Sequence, residues 1–297
     1  MTGEKRAAFV AVIGRPSVGK SSLVNLLCGA RVSITGAVPQ TTRNAIRGIL
    51  TRPEGQLVFI DTPGRHTSER KFNKKLIEVS DRALEDSEII LYVLDASRPP
   101  GPEEEAVAAR LVPYSGRTIA VVNKTDLPSA DYEGSSQFLQ ERLPAVPKAF
   151  AISCRAREGT EALVAALFEM APPGESPYPE EYYTDQEIAF RVTEIIRGEA
   201  MKRLREELPH SLYVEAADIE LLDSGSRLWV RAFIITERES QKGMVIGAGA
   251  SMIKAIRQAA QKELNRIFDW KVDLDLRVKT GKDWRHNDRV LQRVIKP

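Results

Sequence analysis

The chain has 297 residues and a mass of 33.0 kDa, with 42% hydrophobic and 28% charged residues, a globular composition that excludes wholesale disorder, a collagen-like repeat and a coiled-coil rod. Net charge is +2, yet residues 1–237 carry −5 and residues 238–297 carry +7; a basic final fifth points either to an anionic partner or to a solvated basic face. No apolar run approaches the roughly 18 residues of a membrane span, the N-terminus lacks signal-peptide features, and two cysteines, Cys28 and Cys154, cannot build a disulfide framework, so a cytoplasmic protein is expected.

Residues 8–13 (AFVAVI) form a continuous apolar run, as expected of a strand buried on both faces. The Gly-rich segment GRPSVGKS follows, then SLVNLLCG reads as a helix ending near Gly29. Further buried strands are expected at 56–60, 89–94, 118–122 and 149–153, with helices at 73–86, 103–112, 134–143 and 159–170. Strands alternating with helices predict an α/β domain built on a doubly wound, mostly parallel sheet. Ligands on such sheets bind at the carboxyl ends of the strands.

Residues 171–184 carry four prolines and no periodicity, which marks a linker. The expected organisation is a first domain over 1–172, a linker over 173–185 and a second domain over 186–297. In the second, a helix over 186–207 is stopped by Pro209, and strands 212–222 and 227–236 are joined by a turn at Asp223-Ser224-Gly225. A Gly-rich turn, a helix over 251–267 and a strand over 271–278 complete a small α+β domain.

Gly14-Arg15-Pro16-Ser17-Val18-Gly19-Lys20-Ser21 matches G-x-x-x-x-G-K-[ST] in full and lies between a strand and a helix. Glycines let backbone N–H groups turn inward around phosphate; Lys20 reaches the β and γ phosphates, and Ser21 offers a hydroxyl to Mg²⁺. Ser22 continues the helix whose N-terminus faces the anion. Asp61-Thr62-Pro63-Gly64 closes the next apolar strand; Asp61 can hold Mg²⁺ through water, and the Gly64 N–H can bond the γ-phosphate. Asn123-Lys124-Thr125-Asp126 follows the strand TIAVV. The Asp126 carboxylate can accept from guanine N1–H and N2–H₂, a donor pair that adenine lacks. Asn123 would tie this loop to the phosphate loop, the Lys124 stem would cover the ring, and Ser153-Cys154 would supply a backbone N–H to guanine O6. In Pro39-Gln40-Thr41-Thr42-Arg43 a threonine can complete the Mg²⁺ shell when GTP is bound; Thr42 is preferred to Thr41.

These motifs, GRPSVGKS, PQTTR, DTPG, NKTD and ISC in that order, resemble the GTPase superfamily. Together with EIIRGEAMKRLREELPHSLYVE, ESQKGMVIG and VKTGKDWR in the second half, they resemble the Era family over nearly the whole chain. The resemblance implies a P-loop GTPase domain followed by a type II KH domain, and a slow GTP-to-GDP switch. Its catalytic groups would be Lys20, Thr42 and Gly64, and its Mg²⁺ ligands Ser21, Thr42 and Asp61. VIGAGASMIKAI resembles the KH loop that binds nucleic acid through backbone N–H groups. That places Gly247, Ala248, Gly249 and Ala250 on RNA, with Lys242, Lys254, Arg257 and Lys262 adding positive charge. The implied partners are small-subunit ribosomal RNA near its 3′ end and the small ribosomal subunit, for a monomer with peripheral contact to the inner membrane. GTPases of tRNA modification or large-subunit assembly share the nucleotide motifs, and a non-catalytic nucleotide-stabilised RNA scaffold is the contrasting class.

The chain departs from the family pattern at three places. Ala250 stands at the second glycine of G-x-x-G. Ser17 replaces the usual Asn that helps hold K⁺, so K⁺ stimulation is not expected. Arg65 follows DTPG, where other GTPases of this class place a water-orienting Gln or an apolar residue, which leaves water activation unassigned.

Overall fold

The computed structural model describes residues 4–36, 42–64, 71–146 and 149–295. By internal contacts the chain divides into two units, Met1–Ser33 with Thr42–Asp185 and Ile295–Pro297, and Ile34–Thr41 with Gln186–Val294.

The first unit is built on a six-stranded sheet of β1 (Arg6–Ile13), β2 (Ile46–Arg52), β3 (Gly55–Asp61), β4 (Ile89–Asp95), β5 (Thr118–Asn123) and β6 (Ala149–Ala151). The spatial order is β2-β3-β1-β4-β5-β6. All pairings are parallel except β2 with β3. Its helices are α1 (Lys20–Leu27), α2 (Lys71–Asp86), α3 (Pro102–Leu111), α4 (Tyr132–Arg142) and α5 (Thr160–Met170).

The apolar strands explain the layering. Alternate residues of β1 and β4 face opposite ways. Val10, Val12, Leu91 and Val93 pack with Leu23 of α1 and Leu163 and Leu167 of α5. Ala11, Ile13, Ile90 and Leu94 pack with Leu84 of α2, Val107 and Leu111 of α3 and Phe138 of α4. With both faces covered, binding groups collect where the strands end, at Ile13, Asp61, Asp95 and Asn123.

Sequence periodicity did not reveal β2. Its sequence IRGILTR mixes two arginines with a glycine, and it is recruited as the antiparallel edge by pairing with β3. The Pro-rich segment expected to be a linker is strapped to this unit. Gly174 N donates to Lys5 O at 2.9 Å, and Ile49 N on β2 donates to Tyr183 O at 2.9 Å. Gln56 exchanges two hydrogen bonds with the Tyr178 backbone. The strap thus satisfies backbone groups that an open edge strand would expose.

The second unit holds α6 (Ile188–Arg203), α7 (Leu208–Ser211), β7 (Leu212–Leu222), β8 (Arg227–Thr236), α8 (Glu239–Ile246), α9 (Ser251–Ile267), β9 (Lys271–Thr280) and α10 (Asp288–Val294). β7 pairs antiparallel with β8, and β8 parallel with β9. Leu228, Val230, Ala232 and Ile234 alternate inward and pack against Val192 and Ile196 of α6 and Ile256, Ala260 and Leu264 of α9. The long helix expected over 186–207 ends earlier, at Arg203, because Leu204 turns extended. Pro209 then opens α7 rather than stopping α6, a position where its missing N–H costs nothing. Three short helices, α7, α8 and α10, add to the expected order; α8 buries only Val245, too little for a visible apolar stripe.

Candidate functional site

Gly14 to Gly19 turn from the end of β1 into α1. Gly19 has φ 106°, and a Cβ there would stand 2.3 Å from Asn123 Nδ2, so only glycine lets the two loops meet. Lys20 is 6% exposed, and its Nζ donates to Gly14 O at 2.8 Å and Arg15 O at 3.0 Å. Burial pushes its pKa down to about 8, with the charges of Asp61 and Glu104 pulling the other way. A buried ammonium that donates to two loop carbonyls is placed to meet an anion. Val18 is buried beside it and Ser22 lies half-buried in the first turn of α1.

Asp61, at the end of β3, is wholly buried. Its Oδ2 accepts from Ser21 Oγ at 2.7 Å and Thr42 Oγ1 at 3.3 Å, and the two hydroxyls lie 2.9 Å apart. The structure thus brings together the three residues expected to hold Mg²⁺. Asp61 Oδ1 is buried without a hydrogen-bond partner among the described residues, and burial pushes the carboxyl pKa up, against the pull of the Ser21 hydrogen bond and the Lys20 charge. A hard-oxygen trio with one unmatched carboxylate oxygen fits Mg²⁺. Ser21, Thr42 and Asp61 would hold the ion, and it would neutralise charge developing on the phosphates. Gly64 lies against the phosphate loop: a Cβ there would come within 2.8 Å of Pro16 Cα. Thr41 and Arg65 fall outside the described residues.

The base side is equally tied together. Asn123 Nδ2 donates to Val18 O at 2.8 Å, as expected of a residue joining the two loops. Lys124 Nζ donates to Ser17 O at 2.9 Å and to Asp95 Oδ2 at 2.6 Å. Sequence reasoning missed Asp95, although it closes a buried strand just as Asp61 does. Burial works against the charge of Asp95, but bonds from Lys124 and Ser97 outweigh it and hold the carboxyl below its ordinary range.

Ser153 differs from expectation. Its N–H is taken by Glu158 O at 3.2 Å, so it is not an open donor for guanine O6. Its hydroxyl donates to Asp126 Oδ1 at 2.7 Å instead, fixing the carboxylate expected to read guanine. The Cys154 N–H donates to Asn123 Oδ1 at 3.1 Å; it reaches O6 only by sharing or exchanging that bond.

In the second unit, α8 and α9 flank the turn at Gly247–Ala250. Gly247 has φ 74°, and a Cβ there would lie 2.8 Å from Met252 Cβ, so glycine is obligatory. Gly249 has φ 57° and open space around it. Ala250 is left-handed, with φ 60°. Lys254 is exposed on α9 and Arg257 half-buried; Arg257 Nη1 donates to Gln261 Oε1 at 3.2 Å. Lys242 is paired with Glu239 at 2.9 Å, which lessens the charge it adds.

A family model described as "50S ribosome-binding GTPase" matches residues 9–124, and one described as "KH domain" matches residues 207–285. GTPase Era of Treponema denticola is 47% identical over 290 residues, covering 97% of this chain and 99% of that protein. The chain belongs to the Era GTPase family. GTPase Era of Borreliella burgdorferi strain ZS7 is 40% identical, covering 98% of this chain and 99% of that one. A crystal structure of Era with MgGDPNP and nucleotides 1506–1542 of 16S ribosomal RNA superposes with TM-score 0.92 at 29% identity, covering 98% of both chains. A single-substitution variant of Aquifex aeolicus Era bound to GDP·AlF4⁻ gives the same TM-score at 30% identity, covering 97% of this chain and 98% of that one. As a member of the Era family the chain is a GTP-hydrolysing enzyme with a P-loop GTPase domain and a C-terminal KH domain. Among the described residues no helix is long and apolar enough to cross a membrane.

Proposed function

We propose that this Era-family GTPase binds small-subunit ribosomal RNA near its 3′ end and assists maturation of the small subunit, with GTP hydrolysis timing release. In this reading Gly14–Ser22 cradle the phosphates, Lys20 meets the β and γ phosphates, and Ser21, Thr42 and Asp61 hold Mg²⁺. Asp126 reads guanine, with Asn123, Lys124, Ser153 and Cys154 shaping its pocket. Gly247–Ala250, Lys254 and Arg257 carry RNA, with Lys242 a weaker contributor. The GTPase domain spans 1–172 and the KH domain 186–297, in a cytoplasmic monomer.

The observation that carries the nucleotide half is the meeting of Ser21, Thr42 and Asp61 within hydrogen-bond distance. Residues from three separate motifs converge there on one oxygen-lined spot beside Lys20. The RNA half is supported by the near-complete match to Era bound to a 16S rRNA fragment. The first family model's description speaks of the large subunit, but it covers only the GTPase domain; the match over 98% of the chain to Era with a 16S rRNA fragment favours the small subunit.

The test combines single-turnover GTP hydrolysis with binding to an oligonucleotide of the 16S rRNA 3′ end. Hydrolysis and RNA affinity that differs between the GDP and GTP-analogue forms is expected. Hydrolysis without preference for that RNA over a scrambled sequence would overturn the small-subunit assignment.

A further inference from the structure

Arg15 belongs to the phosphate loop, yet its guanidinium is turned to α3. Its Nε pairs with Glu104 Oε2 at 2.8 Å. The second Glu104 oxygen accepts from the Tyr92 hydroxyl of β4 at 2.6 Å. Glu104 is 1% exposed and Tyr92 0%. The loop backbone lies hard against the same strand, since a Cβ on Gly14 would come within 2.4 Å of Val93 O. The carbonyl of Arg15 in turn accepts from Lys20 Nζ at 3.0 Å. A continuous chain of contacts therefore runs from Tyr92 through Glu104 and Arg15 to the lysine.

Stability alone gives little reason for this arrangement. Burying a carboxylate and a guanidinium costs solvation that the pair roughly recovers, and apolar replacements of similar volume are often no worse. Geometry gives a reason. Arg15 is a long residue fixed at both extremes, its guanidinium by Glu104 and the Arg98 carbonyl and its backbone carbonyl by Lys20. Fixing one end limits where the other can move.

We propose that Glu104 is a positioning residue for nucleotide binding: through Arg15 it fixes the carbonyl that holds Lys20 Nζ, and so aims the lysine at the β- and γ-phosphates. The inference rests on the reading of Lys20 as the phosphate ligand given above. Glu104 itself does not touch nucleotide.

A P-loop lysine contacts the β and γ phosphates, so GMP lacks the groups it reads. This separates aiming from folding. Affinities for GDP and GMP, both with Mg²⁺, are measured by competition against a fluorescent GDP. Glu104→Gln keeps the shape and removes the charge. It is expected to weaken GDP about tenfold, equivalent to about 1.4 kcal/mol, while GMP changes less than about twofold. A parallel loss for both ligands, or no loss for either, overturns the proposal. Arg15→Met should lose GDP selectively too, and combining it with Glu104→Gln should add little, because both act through one contact. Additive losses would show that Glu104 does not work through Arg15. If Glu104→Gln fails to fold, Tyr92→Phe, which frees one carboxylate oxygen, is read on the same two ligands. A smaller GDP-selective loss supports the proposal, and none overturns it. Lys20→Ala distinguishes the two layers. If it keeps the wild-type preference for GDP over GMP, the reading of Lys20 is wrong. If it loses that preference while Glu104→Gln keeps it, only the present inference fails.

Discussion

The Ser153 hydroxyl donates to Asp126 Oδ1 at 2.7 Å, and the same hydroxyl oxygen accepts the Ala156 N–H at 2.9 Å. One serine thereby locks a carboxylate from a loop 27 residues away in sequence. Two different outcomes are expected from changing the two partners. Asp126→Asn should weaken GTP and strengthen xanthosine triphosphate, because the amide donates to the new carbonyl; a charge-assisted contact of this kind is worth about 2–3 kcal/mol. Ser153→Ala should weaken both nucleotides equally, by about 0.5–1.5 kcal/mol, since it loosens the reader without changing its chemistry. Equilibrium binding of both nucleotides checks this. A change of base preference in Ser153→Ala would show that the hydroxyl itself contacts the base.

The meeting of Ser21, Thr42 and Asp61 leads to a prediction about Mg²⁺. Ser21→Ala removes one of the proposed ligands and leaves the Asp61 carboxylate in place. GTP hydrolysis should then need a higher Mg²⁺ concentration and recover in part at saturation. Asp61→Asn removes the only charge of the trio and should not be rescued. Titrating Mg²⁺ into single-turnover reactions separates the cases. Full insensitivity of Ser21→Ala to Mg²⁺ would remove that serine from the ligand set.

Lys124 is held by Asp95 at 2.6 Å, and the bond has a pH signature. Burial opposes the Asp95 charge, but hydrogen bonds from Lys124 and Ser97 hold its pKa below the ordinary carboxylate value. The unfolded chain therefore binds this proton more readily than the folded one. The pair contributes stability above the ordinary carboxylate pKa, and that contribution is lost as pH falls through the lower folded value. Asp95→Asn should flatten this part of the acid limb of the stability curve. Thermal melts from pH 6 down through the carboxylate range, run on both proteins, are the measurement.

What was legible beforehand follows from physics. Buried parallel strands are nearly all apolar, so β1, β4 and β5 stood out, and the motifs at their ends could be read in order. β2 was hidden because an edge strand has one open side and need not be apolar. The same logic hid α8. At the site, the identity of a residue revealed its chemistry but not which of its atoms acts. A backbone N–H was expected from Ser153-Cys154; that of Ser153 is bonded to Glu158 O, and the Ser153 hydroxyl bonds Asp126. Asp95 and Glu104 carry no motif at all; they matter only because β4 and α3 bring them to the loops, a relation that exists in three dimensions alone.

Ser17 sits at φ 65°, in the left-handed region that Asn tolerates better than Ser. Two consequences are expected of Ser17→Asn. The backbone should be relieved, raising the melting temperature slightly. The added carbonyl oxygen should also create a monovalent-ion ligand, so that K⁺ accelerates hydrolysis over Na⁺, whereas the wild type should respond alike to both. Strong K⁺ stimulation of the wild type would show that the oxygens already present suffice.

Ala250 poses the sharpest test of the KH loop. It occupies φ 60°, where a Cβ is strained by about 1 kcal/mol or more. Ala250→Gly removes that strain, but it also frees the unfolded chain, which lowers stability by a fraction of the same size. The net change in melting temperature should therefore be small, with the gain appearing in RNA affinity, because a phosphate can approach closer to a glycine. Gly247→Ala tests the opposite limit: its Cβ would lie 2.8 Å from Met252 Cβ, so the KH unit should lose stability outright. Gly249→Asp separates binding from folding, since the surrounding space is open and Asp tolerates this backbone region. It should fold normally, bind GTP normally and lose about tenfold in affinity for the 16S rRNA 3′-end oligonucleotide, equivalent to about 1.4 kcal/mol. Binding by the wild type should also fall steeply as salt rises, as phosphate contacts release counterions. Normal RNA binding by Gly249→Asp at moderate salt would make the loop structural and leave RNA recognition to the basic side chains of α9.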